Sequence, residues 1–197
     1  MDGTFDVVCQ TTLALAPYQG PAAFVAEYAG IIRHRPGTGE PPTTVGGFRL
    51  YKVLRGLAMS YGHEVHAVCR AHSPALLRYC RAVFDRRLDS FRTEVEGRFH
   101  CLGADLLILD SLTLAQRWRG HRLGLLAVRR LLDVFEGGCG LVVCKPTPWE
   151  GAGAHGKVRL RRYFKHLGFR RIGKTGYYGL STADIVPRFE DVLQQRV

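Results

Sequence analysis

The chain has 197 residues, 46% of them hydrophobic, which suits one α/β domain with its own core rather than a disordered chain. It carries 28 Lys and Arg against 17 Asp and Glu, a formal charge of +11, so something anionic is expected at its surface. No apolar run is long enough for a transmembrane helix. The opening MDGTFDVVCQ lacks the basic and apolar blocks of a secretory leader, so the cytoplasm is the expected location and no membrane partner is expected.

Residues 4–16 read as a strand, and AAFVAEYAGIIRHR as a strand or short helix. RPGTGEPPTT (35–44) is a loop by its Pro and Gly content. VGGFRLYKVLRG reads as a strand with Phe48 and Leu50, extending to Lys52, on one face, and HEVHAVCRA as the next strand. Ser73-Pro74 has the form of an N-cap followed by Pro at the first helical position. Helical spacing of Leu76, Leu77, Cys80, Val83, Phe84 and Leu88 follows. Residues 89–104 are polar and show no period.

DLLILDSLTL (105–114) is a strand apolar on nearly both faces, hence central in a sheet. RLGLLAVRRLLDVF (122–135) is an amphipathic helix ended by GGCG. LVVCKP (141–146) is a buried strand stopped by Pro146, and TPWEGAGAHG a loop. KVRLRRYFKHLGF holds a short helix ended by Gly168. FRRIG and GYYGLS read as closing strands, and PRFEDVLQQ as a C-terminal helix. The six cysteines form no CxxC pair and read as reduced, mostly buried small hydrophobes.

The stretch RWRGHRLG (117–124) joins the central strand to the amphipathic helix. A helix N-terminus presents unpaired N–H groups and a partial positive charge. Glycine lets an anion approach the backbone, and arginine adds charged donors. Residues 119–124 are therefore expected to hold a phosphate or pyrophosphate. The spacing is neither GxxxxGK[ST] nor GxGxxG. Cations also concentrate nearby: residues 117–130 and 155–174 hold 13 of the 28, with no acid in either window.

LTLAQRWRGHRLGLLAVRRLL resembles the acetyl-CoA-binding motif of the GNAT superfamily of N-acyltransferases, a strand, then Gln/Arg-x-x-Gly-x-Gly/Ala, then a helix. RRYFKHLGF resembles that family's helix ending in an aromatic, three residues and Gly-Phe. The two segments stand in the family's order with a strand between them. The resemblance covers roughly residues 105–181. It implies a mixed, mainly antiparallel central sheet flanked by helices, with strands 105–114 and 141–146 splayed. Residues 1–104 would form the acceptor-side half, 105–181 the acetyl-CoA half, and 182–197 a C-terminal helix of one domain.

It also implies chemistry. Acetyl would pass from acetyl-CoA to a primary amine by direct attack in a ternary complex. The backbone of Leu112, Thr113 and Leu114 would hold the pantetheine arm. N–H groups of Arg119, Gly120, His121, Arg122, Leu123 and Gly124 would hold the pyrophosphate. The chain departs from the family at Arg122, where the first loop glycine is usual. It departs again at Phe164, where a tyrosine often protonates the departing thiolate, and at Lys157, where an asparagine is common. A protonated amine needs a base. Asp110 is the first candidate, ahead of Glu64, His66 and Glu150. Tyr163, Tyr177 and Tyr178 compete as the acid.

Two rival readings remain at this level. His63, His66, Cys69 and His72 recur at threes and invite a zinc reading. On a strand that spacing alternates faces, so no metal is expected. The cations, with Tyr163, Phe164 and Tyr177 among them, also suit a basic nucleic-acid-binding module, or an acyltransferase of this kind acting on aminoacyl-tRNA. Neither the acceptor nor the oligomeric state is legible in the sequence.

Overall fold

The computed structural model describes residues 3–11, 20–37, 39–87, 89–148 and 153–184. Among these residues seven strands form one sheet in the order β1-β2-β3-β4-β5-β7-β6. They are β1 (Thr4–Thr11), β2 (Val25–Arg35), β3 (Thr43–Val53), β4 (Asp105–Leu114), β5 (Cys139–Cys144), β6 (Arg170–Arg171) and β7 (Tyr178–Ser181). Every neighbouring pair is antiparallel except β4 and β5, which are parallel. A parallel pair needs a crossover, and α5 (Leu123–Phe135) supplies it. The sheet is thus mixed, mainly antiparallel and flanked by helices, as expected.

Alternation along β4 sets the two layers. Leu106 and Ile108 face a core shared with α1 (Arg55–Ser60), α2 (Val65–His72), α3 (Pro74–Val83) and α4 (Thr93–Phe99). Leu107 and Leu109 face a second core, shared with α5 and α6 (Gly153–His166). All four are at most 4% exposed, which explains why this strand reads as apolar on both faces. Among the described residues no helix is long and apolar enough to cross a membrane.

The expected cap holds: the Leu76 N–H donates to Ser73 Oγ at 3.1 Å, with Pro74 in the first turn of α3. Four segments differ from expectation, the first being TPWEGAGAHG, read as a loop, within which α6 already begins at Gly153. HEVHAVCRA is largely the helix α2, because Val65, Val68 and Cys69 recur at threes and fours and all bury on one side. Helix α3 ends at Val83, where Phe84 leaves to bridge and stack on Phe91. The polar 89–104 stretch contains α4, which buries Val95 and Phe99 one turn apart. AAFVAEYAGIIRHR resolves into a short 3-10 turn, Pro21–Phe24, followed by strand β2. Residues 12–16, Leu88, Glu150 and the C-terminal PRFEDVLQQ lie outside the described residues.

Candidate active site

The two edges of β4 behave differently. Towards β3 the ladder runs from Leu106 to Leu114. Towards β5 it runs only from Asp105, opposite Cys139, to Leu109, opposite Cys144. Pro146 follows two residues after β5 and has no N–H to donate, so the parallel ladder cannot continue. Among the described residues the remaining five of β4 have no partner on this edge, and the strands part.

The gap is a cavity of about 870 Å³. Its walls are Asp110 to Leu114 of β4, the start of α5, the Lys145–Pro148 segment and one face of α6. That volume lies within the range of small-molecule and cofactor sites, roughly 300–1,000 Å³. Splayed central strands are therefore present, with the opening directed at the N-terminus of α5.

Asp110 stands at the inner corner of this cleft. On β3, Arg49 opposes Ser111 and Leu50 opposes Leu109, so Asp110 is an extra, unpaired residue of a bulge. A bulge re-aims its side chain and shifts the alternation. The shift is visible here: Leu109 and then Leu112, three residues on, both pack towards α5 and α6. The Asp110 carboxylate turns to the other face, where it lies near enough to the Tyr79 phenol of α3 for its charge to act on that group. Tyr79 is buried, and its ring packs edge-on against Tyr177 with centroids 5.0 Å apart. Burial, then the Asp110 charge, pushes the Tyr79 phenol well above the ordinary tyrosine range. Lys145 Nζ sits 5.6 Å from the Tyr177 ring centre. Nearby on the same side, Arg49 pairs with Glu27 at 3.4 Å.

The other end of the cleft is basic. After β4 the chain makes a 3-10 turn, Gln116–Trp118, anchored by Trp118 against His34 and Phe5. Arg119 Nε donates to the last β4 carbonyl, that of Leu114, at 2.8 Å. Gly120 has φ +85°, and Arg122 adopts the left-handed conformation, φ 58° and ψ 0°, immediately before the helix. No side chain caps α5, so its first-turn amides stand without intrahelical partners. Gly124 is needed for space, since a methyl group there would run into the Tyr163 hydroxyl.

The residues singled out by sequence distribute as follows. Leu112, Thr113, Leu114, Arg119, Gly120, Arg122, Leu123 and Gly124 all line the cleft, and so does Asp110. His121 is exposed and does not. Tyr163 also lines the cleft, but beside Gly124 and Leu114. Leu114 lies about 13 Å of strand beyond Asp110. Burial pushes the Tyr163 phenol up as well. Phe164 lines the cleft with its ring edge-on to Phe169. Tyr178 packs on the α5–α6 side, whereas Tyr177 lies on the Asp110 side.

Glu64 and His66 do not line the cleft. Glu64 is an exposed residue at the start of α2, and His66 is buried, its pKa lowered chiefly by that burial. The helix spreads the other members of the histidine series apart. His63 packs on Phe24, His72 on Tyr51, and Cys69 lies beside Cys80. Among the described residues no three metal-ligating side chains converge.

Sequence reasoning missed Tyr79. Its position was legible as buried, because it falls between Leu76 and Val83 on the inner face of α3. Its meeting with Asp110 depends on a helix and a strand 31 residues apart, which no local pattern announces. No protein-family model, no curated protein and no solved structure matches the chain.

Proposed function

We propose that this protein is an acyl-CoA-dependent N-acyltransferase of the GNAT type, transferring acetyl from acetyl-CoA to a primary amine. The observation that carries the proposal is the open edge of β4. A strand edge without a partner offers N–H and C=O groups at fixed spacing to an extended, amide-bearing arm. Pantetheine has that form. Here the edge runs from Asp110 to Leu114, straight to the uncapped start of α5. An arm laid along it would bring a thioester to Asp110 and a pyrophosphate to residues 119–124.

The residues then divide the work. First-turn amides of α5, with Arg119 and Arg122, bind the pyrophosphate. Backbone N–H groups of β4 near the bulge stabilise the oxygen charge that develops as the amine adds to the carbonyl. Asp110 takes a proton from the ammonium, leaving a neutral nucleophile. Tyr79 orients that carboxylate from the opposite face. The new C–N bond forms, the C–S bond breaks, and the thiolate leaves with a proton. Phe164 has no proton to give, Tyr163 lines the cleft at the phosphate end, and Tyr177 lies on the Asp110 side outside the cleft lining, so solvent supplies the proton for that last step. A CoA thiol is acidic enough to leave largely unaided near neutral pH.

Calorimetric titration with acetyl-CoA, beside a short RNA at low and moderate salt, tests this. Saturable acetyl-CoA binding, with RNA binding weak or lost as salt rises, is expected. Tight, salt-sensitive RNA binding with none for acetyl-CoA would assign the basic end of the cleft to a nucleic-acid backbone instead.

A further inference from the structure

Helix α6 divides its cations between two directions. Arg159 and Arg162, three residues apart and so on one face, both line the cleft. Arg161 and Lys165 do not line it and are exposed. Among the described residues neither Arg159 nor Arg162 has an ion-pair or hydrogen-bond partner. Their place relative to the phosphate loop follows from Tyr163, the next residue. Its hydroxyl abuts Gly124 in the first turn of α5. The two arginines therefore lie just before the point where α6 meets that helix start, within about 6 Å of helix axis.

The charge count exceeds what a pyrophosphate alone would use. Among the described residues Arg119, Arg122, Arg159, Arg162 and Lys145 all line the cleft, against one carboxylate, Asp110, at its far corner. Arg119 and Arg122 belong to the loop that begins α5. Arg159 and Arg162 come from a different element and form a second cationic centre beside it. Two such centres fit a nucleotide with phosphate at two positions, a diphosphate and a separate monophosphate.

Resting on the acyl-CoA reading above, we infer that Arg159 and Arg162 recognise the 3′-phosphate of the CoA ribose, making this cleft selective for CoA over its dephosphorylated form. A phosphate monoester carries nearly two charges and three acceptor oxygens, and arginine is the side chain suited to it. Both arginines are solvent-exposed, so the selectivity weakens as salt rises.

The test compares affinities for acetyl-CoA and acetyl-dephospho-CoA, which differ only in that phosphate. The wild type is expected to prefer acetyl-CoA by roughly tenfold or more at low salt. Arg159→Gln with Arg162→Gln should bring the preference close to one while leaving dephospho-CoA binding intact. The pair Arg161→Gln with Lys165→Gln, on the outer side of the same helix, should keep it. Equal wild-type affinities, or a double variant that weakens both ligands alike, would overturn this inference and leave the transferase reading standing. Binding of neither ligand would overturn both. A short RNA that binds the wild type, loses affinity in the Arg159/Arg162 variant and shows no CoA preference would assign the arginines to a nucleic acid.

Discussion

One strand, β4, has two edges with opposite fates. Along β3 it is paired almost throughout, and the ladder is broken only by the bulge at Asp110. Along β5 it is paired for half its length and then released. The paired half, Leu106 to Leu109, lies at the centre of both cores and is almost wholly buried. In the released half exposure alternates, with Ser111 and Thr113 open and Leu112 and Leu114 half-covered. The same ten residues thus hold the molecule together at one end and form the wall of a cavity at the other. A position next to a core is stiff, and stiffness is what a site for an extended ligand requires.

Substitutions along this strand and its neighbours should separate the two roles. Leu107→Ala, in the paired half, should lower unfolding free energy by about 2–5 kcal/mol in urea denaturation. Ser111→Ala, in the released half, should stay within about 0.5 kcal/mol. Equal costs would erase the distinction. Next in size is Arg119→Glu combined with Gly124→Glu, which sets carboxylates against the proposed pyrophosphate. Acetyl-CoA affinity should fall by about 100-fold or more, whereas Arg130→Glu, outside the cleft, should change it little. Unchanged affinity in the double variant would sink the phosphate assignment.

Asp110→Asn should slow acetyl transfer by roughly 10–100-fold below the pKa of the acceptor amine and less above it, read from pH–rate profiles. A profile that keeps its shape and height would leave Asp110 with a structural role alone. Its partner has its own signature. Burial raises the Tyr79 phenol pKa in the folded protein, while the unfolded chain has the ordinary value, about 10. The folded state therefore holds that proton longer. Its stabilising contribution is complete below pH of about 10 and is lost as pH rises beyond it. Tyr79→Phe should flatten that alkaline decline in a stability-versus-pH series. The smallest expected effect belongs to Arg122→Gly. It relieves the left-handed backbone but loosens the unfolded chain, so stability should move by no more than about 1 kcal/mol. Its acetyl-CoA affinity should still drop severalfold, through the lost guanidinium.

What sequence alone conveyed tracks how local each signal was. The limits of β4 and α5 were legible because an unbroken apolar run and a helical period each lie within one short window. The strand-to-helix junction at residues 119–124 was legible for the same reason, and five of its six residues line the cleft, His121 being the exception. Helix α2 was misread because HEVHAVCRA alternates over a few residues as readily as it repeats at threes and fours. Burial of Val65, Val68 and Cys69 on one side decides between the two. The bulge was not legible at all. An extra residue is defined only against a partner strand, and β3 lies more than 50 residues upstream of β4. Without the bulge, neither the aim of Asp110 nor its meeting with Tyr79 follows.

The released edge of β4 also leaves a trace that needs no ligand. In an antiparallel strand successive N–H groups point to opposite neighbours. From Asp110 to Leu114 those turned to β3 are tied into the ladder, and those turned the other way face the gap. Solvent hydrogen should therefore exchange along this stretch as a comb, slow and fast at alternate residues, beside a uniformly slow stretch from Leu106 to Leu109. Whatever molecule completes the sheet would fill in the teeth of that comb and stand, for as long as it stays, in place of a strand that none of the described residues supplies.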